Sequence, residues 1–202
     1  MDHTNEYDFK NFVQDMTVMV ERSQNDNECV VEAEKLVGKL IQSRSWLPSE
    51  KRRPSEEGYS RHLLYCDPED RFEVIALVWK PGQKTTLHDH DDTWGAEGVV
   101  AGKVKVTNYI RLEELSGGNI VKLQHTDTII VNEQNTGKLL PPADCHILEG
   151  VGNKPAITIH VYGKQLRKFR VFTPLDEEGL YLAKEKRVEY SPALAFNPPF
   201  EI

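Results

Sequence analysis

Two of the chain's seven histidines stand one residue apart in His88-Asp89-His90, shortly after Pro81-Gly82. In an extended backbone, positions i and i+2 share a face. Both imidazoles can therefore meet one metal ion while Asp89 points the other way. Imidazole nitrogen suits Fe, Zn, Cu or Ni, although an isolated pair of this kind equally fits a solvated or core-satisfied pair. Downstream, Pro141-Pro142-Ala143-Asp144-Cys145-His146 sets another histidine after a turn and at the start of a strand. In a small barrel that strand can lie beside the first, so His146 reads as a third ligand or as a surface turn histidine. Thr158-Ile159-His160-Val161-Tyr162 lines up a hydroxyl, an imidazole and a phenol on one strand face. Such a row can form a hydrogen-bonded relay that orients the phenol, or simply the polar side of an amphipathic strand. His3, His62 and His125 have no such companions.

The elements that must position these groups can be read from periodicity. Phe9, Phe12, Val13, Met16, Met19 and Val20 follow helical spacing, with Asn5 or Asp8 as a cap. Val30, Ala33, Val37, Leu40 and Ile41 mark a second amphipathic helix that Trp46-Leu47-Pro48 ends. Residues 48–58 read as a charged loop, its Lys51-Arg52-Arg53 triplet solvated. From Tyr59 the texture changes to short β-type runs at 72–79, 98–107, 120–123, 128–131, 156–162, 169–172 and 180–190. Short strands separated by turn signals predict a β-sandwich or small barrel. The expected plan is one domain over 1–202: a helical segment at 1–48, then an antiparallel double-Greek-key barrel over 59–190.

Composition limits the partners. The chain has 202 residues, 39% of them hydrophobic and 28% charged, with a net charge of −7. One core fits that length. An acidic balance argues against nucleic acid or an anionic membrane, both of which attract a basic face. No apolar run approaches the roughly 18 residues of a membrane span. The first six residues lack the basic and apolar regions of a signal peptide. Three cysteines without a CxxC pair, Cys29, Cys66 and Cys145, fit a reducing cytoplasm. A monomer acting on small molecules is the expectation.

Taken together, His88-Asp89-His90, His146, the Thr158/His160/Tyr162 strand and an upstream Tyr59-Ser60-Arg61 resemble the cysteine dioxygenase family of thiol dioxygenases. The resemblance runs from about residue 59 to 162. It implies a mainly β fold, a cupin double-stranded β-helix (jelly-roll-like) barrel with two N-terminal α-helices. It implies Fe(II) held by His88, His90 and His146. Thr158, His160 and Tyr162 would match the family's Ser-His-Tyr relay, with Thr replacing Ser. Arg61 would match the arginine that holds the substrate carboxylate, and Tyr59 the tyrosine that supports it. Two departures follow. Many cupins carry a glutamate ligand four or five residues after the HxH pair; here those positions are Trp94 and Gly95, and Glu97 is out of register. Gly95 also stands where mammalian-type enzymes have a cysteine cross-linked to the tyrosine, so Tyr162 is expected to be a free phenol, as in the bacterial form.

The expected reaction is oxidation of L-cysteine by O₂ to cysteine sulfinic acid. Three neutral imidazoles leave a ferrous ion its full charge, which favours a thiolate. Relatives acting on 3-mercaptopropionate have glutamine at the arginine's position, so Arg61 points toward the amino acid. Dioxygenation of another small mercaptocarboxylate, 3-mercaptopropionate or mercaptosuccinate, is the alternative. A non-catalytic metal-binding cupin is disfavoured by the intact relay, an oxidase of protein N-terminal cysteines by Arg61, and a zinc-type isomerase by the missing glutamate. Cys145, beside His146, reads as a core residue facing away from the metal. Trp79 and Trp94 read as core or rim aromatics, with Trp94 near enough to line the pocket.

Overall fold

A computed structural model describes residues 7–115, 117 and 119–191; His3 and the alternative cap Asn5 lie outside them. Helix α1 (Phe9–Arg22) starts where the Asp8 carboxylate accepts from the Asn11 amide at 2.8 Å. Helix α2 (Asp26–Leu40) starts where Asn25 accepts from the Glu28 amide, while the Glu28 side chain accepts from the Gln24 amide. These reciprocal bonds satisfy amides that a helix start leaves open. Phe9, Phe12, Val13 and Met16 of α1, and Val30, Ala33, Val37 and Leu40 of α2, form one buried stripe.

Ten strands follow: β1 (Ser60–Cys66), β2 (Glu73–Trp79), β3 (Gly95–Ala101), β4 (Lys103–Leu115), β5 (Ile120–Asn132), β6 (Thr136–Leu139), β7 (Cys145–Val151), β8 (Ala156–Tyr162), β9 (Lys168–Pro174) and β10 (Leu180–Arg187). They form two antiparallel five-stranded sheets, ordered β1-β2-β8-β3-β6 and β7-β4-β5-β10-β9. This is the expected cupin-type barrel with two N-terminal helices. The helices cover the outer face of the first sheet. Val74, Ala76 and Val78 of β2, with Ile157, Ile159 and Val161 of β8, meet the helical stripe. The alternate residues Ile75, Leu77, Trp79 and Tyr162 face the barrel interior. Both strands are thus buried on both sides, which is why 72–79 reads as a nearly unbroken apolar run.

Two details differ from the sequence reading. Residues 120–132 are one strand rather than two short ones. Their middle, Gln124 to Asp127, is exposed and pairs with β4 along the outer hairpin, so no apolar signal marks it. Residues 88–90 belong to no regular strand. His88 instead bridges to both His146 and Val171, and Asp91 and Asp92 then turn the chain with φ of 52° and 56°, a conformation that aspartate tolerates better than most residues.

Turns and close approaches fix the rest. Gly102, at φ 75°, makes the sharp reversal from β3 to β4. Gly98 lets α2 lie directly on β3, since a Cβ there would stand 2.7 Å from Val37 Cγ1 and 3.0 Å from Ile41 Cδ1. Among the described residues no helix is long and apolar enough to cross a membrane. Gly98→Val should push α2 off the sheet and cost about 1–3 kcal/mol, measured as a lower urea midpoint with an unchanged slope.

Candidate metal centre

The interior face of the barrel brings His88, His90 and His146 together. Their ring centroids lie 5.0, 4.9 and 4.8 Å apart, and one ligating nitrogen from each falls within 4.8 Å of the others. His146 is the second residue of β7, where its amide and carbonyl pair with His88 at 3.0 and 3.2 Å. The three rings are buried. Both ring nitrogens of His90 and of His146 lack a hydrogen-bond partner among the described residues. Burial and the neighbouring His90 push the His88 pKa down to about 3. Burial, then His90 and His88, hold His146 well below the ordinary imidazole range. His88 and His146 are therefore neutral, and each carries a free lone pair. Leaving such buried polar atoms unpaired costs roughly 1–3 kcal/mol each, a cost that a shared metal ion removes. The donor set fits Fe, Zn, Cu or Ni.

The backbone around this cluster is anchored by buried carboxylates. Asp89 points away from the rings, as expected. Its oxygens accept from the Arg170 amide and Nε, both at 2.7 Å, with Arg111 Nη1 at 3.7 Å. Asp144 is fully buried and accepts from the His90 amide at 3.2 Å, with His90 Nδ1 at 3.6 Å. Burial alone would raise the Asp144 carboxyl, but His90 and Arg111 hold it below its usual value. His88 Nδ1 lies 2.9 Å from the Thr86 carbonyl, which leaves Nε2 to face the cluster. Ligand-orienting bonds of this kind fix the ring and its tautomer.

Beside the cluster runs the row on β8. Thr158 Oγ1 lies 2.7 Å from His160 Nε2, and the Tyr162 hydroxyl lies 3.4 Å from His160 Nδ1. The Tyr162 ring stacks on His90 with centroids 5.4 Å apart. A Cβ on Gly95 would stand 3.0 Å from Tyr162 Cδ1, so the ring occupies the space that a side chain at 95 would need. Burial, then the Glu97 carboxylate, push the Tyr162 phenol above its ordinary range; it stays protonated.

Arg61 sits on β1, opposite Leu77 of β2 and on the interior side. It is buried and already paired. Nη2 donates to Glu73 Oε1 and to the Leu166 carbonyl, both at 3.1 Å. Glu73 also accepts from the Leu166 amide at 3.0 Å and the Tyr190 hydroxyl at 2.6 Å. Burial raises the Glu73 carboxyl against the pull of Arg61. Arg61 Nη1 has no partner among the described residues. Tyr59 stacks on Trp79 at 4.5 Å rather than on the guanidinium, whose aromatic neighbour is Tyr190 at 4.9 Å.

Sequence reasoning missed Asp144, Glu73, Tyr190 and the function of Trp79, whose Nε1 donates to Thr158 Oγ1 at 3.0 Å. The Asp144-Cys145-His146 adjacency was the one available signal for Asp144. Glu73 and Tyr190 lie far from any motif. Trp94 does not line the cluster; it packs in the helix-side core. Cys145 packs with Leu87, Val121 and Phe172, away from the histidines.

Asp144→Asn should weaken metal retention by roughly 10–100-fold, read by competition with a chelator. Asp89→Ala removes two bonds from Arg170, which keeps its pair with Glu114, and should destabilise the fold by roughly 1–3 kcal/mol, read by urea unfolding.

Comparison with solved structures returns similar barrels. A protein from Thermus thermophilus aligns with TM-score 0.43 and 14% identity, over 55% of this chain and 89% of that one. An oxalate oxidase in complex with the substrate analogue glycolate aligns with TM-score 0.41 and 19% identity, over 62% of this chain and 60% of that one. A conserved protein with a double-stranded β-helix domain from Klebsiella pneumoniae aligns with TM-score 0.39 and 19% identity, over 63% and 92%. In sequence, residues 5–174 match the family "Cysteine dioxygenase type I". The chain belongs to the cysteine dioxygenase type I family, within which it carries a buried three-histidine cluster able to hold a metal ion.

Proposed function

We propose that this protein is an Fe(II)-dependent thiol dioxygenase that converts L-cysteine and O₂ to cysteine sulfinic acid. The observation that carries the reading is the Arg61 Nη1 group, buried and without a partner among the described residues, on the interior side of a barrel that also holds three buried imidazoles and a protonated Tyr162. Ferrous iron supplies, when bound by His88, His90 and His146, a full positive charge that favours the substrate thiolate and electrons that activate dioxygen. Both oxygen atoms join the sulfur, which is oxidised as dioxygen is reduced.

The chain's own residues bind and orient. Arg61 Nη1 donates a charge-assisted hydrogen bond to the substrate carboxylate, while Glu73, Leu166 and Tyr190 hold the guanidinium still. Because Nη2 is already committed, the clamp is a single bond rather than a fork. Tyr59 braces the Trp79 ring, which bonds to Thr158. Thr158 and His160 orient Tyr162, whose hydroxyl proton faces the reacting group. All of these residues come from one chain, the proposed functional unit. The reading places the reaction in a reducing cytoplasm, which suits the free cysteines Cys29, Cys66 and Cys145.

One observation favours a second reading. Glu73 already accepts from Arg61, Leu166 and Tyr190, so it offers little to a substrate ammonium group. A mercaptocarboxylate without an amine, 3-mercaptopropionate or mercaptosuccinate, would satisfy Arg61 equally.

Oxygen uptake by the ferrous-loaded protein separates these readings when L-cysteine, 3-mercaptopropionate, mercaptosuccinate and cysteamine are run side by side. A product carrying two added oxygens is expected from cysteine. Uptake only with an amine-free acid would move the substrate, and none at all would favour a non-catalytic cupin. His146→Ala should abolish iron retention, measured as iron per chain after desalting. Arg61→Gln combined with Glu73→Gln, which keeps the buried pair charge-balanced, should raise KM for cysteine by about 10–100-fold, the worth of one hydrogen bond to a charged group. KM for cysteamine, which has no carboxylate, should change far less.

A further inference from the structure

Glu97 has no counterpart in the relay and is too far along β3 to join the three imidazoles. Its backbone pairs with His160, and its Oε2, buried and without a hydrogen-bond partner among the described residues, lies 3.2 Å from His160 Nδ1, close enough for charge attraction but not aligned as a hydrogen bond. The same nitrogen lies 3.4 Å from the Tyr162 hydroxyl. Two groups therefore compete for one ring nitrogen.

The protons can be placed from the far end of the row. Trp79 Nε1 can only donate, so Thr158 Oγ1 accepts at 3.0 Å. Among the described residues the one remaining hydrogen-bond neighbour of the Thr158 hydroxyl is His160 Nε2 at 2.7 Å. Nε2 is therefore the acceptor, and in a neutral imidazole the proton then resides on Nδ1. The opposite tautomer would leave the Thr158 proton buried without an acceptor and set the bare Nδ1 lone pair against a carboxylate oxygen. Of the two groups facing Nδ1–H, the Tyr162 oxygen is placed to accept the bond, and the nearer Glu97 carboxylate favours a proton on Nδ1 by its charge.

We propose that Glu97 is a positioning residue that locks His160 as the Nδ1–H tautomer and thereby forbids Tyr162 from donating to His160. The Tyr162 hydroxyl proton is then left for the substrate or for dioxygen. This assignment deepens the thiol dioxygenase reading and rests on it for its catalytic consequence. The tautomer itself does not depend on turnover.

The test uses the full chain with ¹⁵N-labelled histidine, loaded with diamagnetic Zn(II), and His160 assigned by its loss in His160→Gln. The expected spectrum has His160 protonated at Nδ1, with a strongly deshielded proton that moves upfield in Glu97→Leu. In the ferrous enzyme, Glu97→Leu should lower kcat by on the order of tenfold, a modest share of what a positioned proton donor contributes, with KM within about twofold. Glu97→Gln, whose amide oxygen still turns a partial negative charge toward Nδ1, should recover part of the loss. In a Tyr162→Phe background Glu97→Leu should add nothing further, the non-additivity expected of groups that act as a unit. A wild-type Nε2–H tautomer, or an Nδ1 proton unmoved by Glu97→Leu, would overturn the assignment. So would equal losses in Glu97→Leu and Glu97→Gln with additive effects in the Tyr162→Phe background. If no thiol is oxidised, the dioxygenase reading fails while the Zn(II) spectra still decide the tautomer.

Discussion

The site depends on Asp89. The segment 88–90 forms no regular ladder; single bridges from His88 to His146 and Val171, with the Asp89 amide on the Arg170 carbonyl, tie it to the strands on either side. What fixes it is a carboxylate, 1% exposed, that accepts from the Arg170 main chain and side chain at once. A buried ion pair adds little net stability, because desolvation offsets its attraction. It does impose one arrangement, since breaking it leaves an uncompensated charge. With Asp89 pinned outward, the alternation of an extended chain sends His88 and His90 inward together.

The same alternation organises β8. Ile157, Ile159 and Val161 bury against the helices, and Thr158, His160 and Tyr162 face the interior. The helices therefore do more than thicken the core. Their apolar cover fixes which face of β8 turns inward, because a one-residue slip would bury the polar set against Phe12 and Val37. Polar groups inside the barrel are tolerable only when each finds a partner. The chain of bonds from Trp79 through Thr158 to His160 meets that condition; among the described residues the imidazole nitrogens, Arg61 Nη1 and Glu97 Oε2 are exceptions, the first of a kind that a metal ion would resolve.

Much of this was legible in the sequence, and the reason is local. The His88/His90 spacing and the Thr158/His160/Tyr162 spacing express a period of two that any extended segment obeys, so their convergent faces could be read before the fold was known. The helices announced themselves through Phe9-Phe12-Val13-Met16 and Val30-Ala33-Val37. What stayed hidden depends on tertiary contact. Glu97 was read only against the glutamate ligand that many cupins carry, a comparison that puts it out of register, whereas the pairing of β3 with β8 brings it beside His160. Glu73 and Tyr190, 117 positions apart in the chain, meet only after β10 returns along the second sheet. Residues 120–132 could not be read as one strand because their middle faces water on an outer hairpin and carries no apolar pattern.

The Arg61 environment is assembled differently from the histidine cluster. The imidazoles come from a bridged segment and from β7. The surroundings of the guanidinium come from β1, β2 and the stretch after β10, where Tyr190 reaches Glu73 and the Ser191 amide donates to the Arg61 carbonyl at 2.7 Å. Substitutions in that late stretch alter the charge and packing beside Arg61 without touching an imidazole or its anchoring carboxylates. On the proposed reading, ligand preference and metal retention would thus be separately mutable, and a lineage could drift between small anionic substrates while its histidine cluster stays intact.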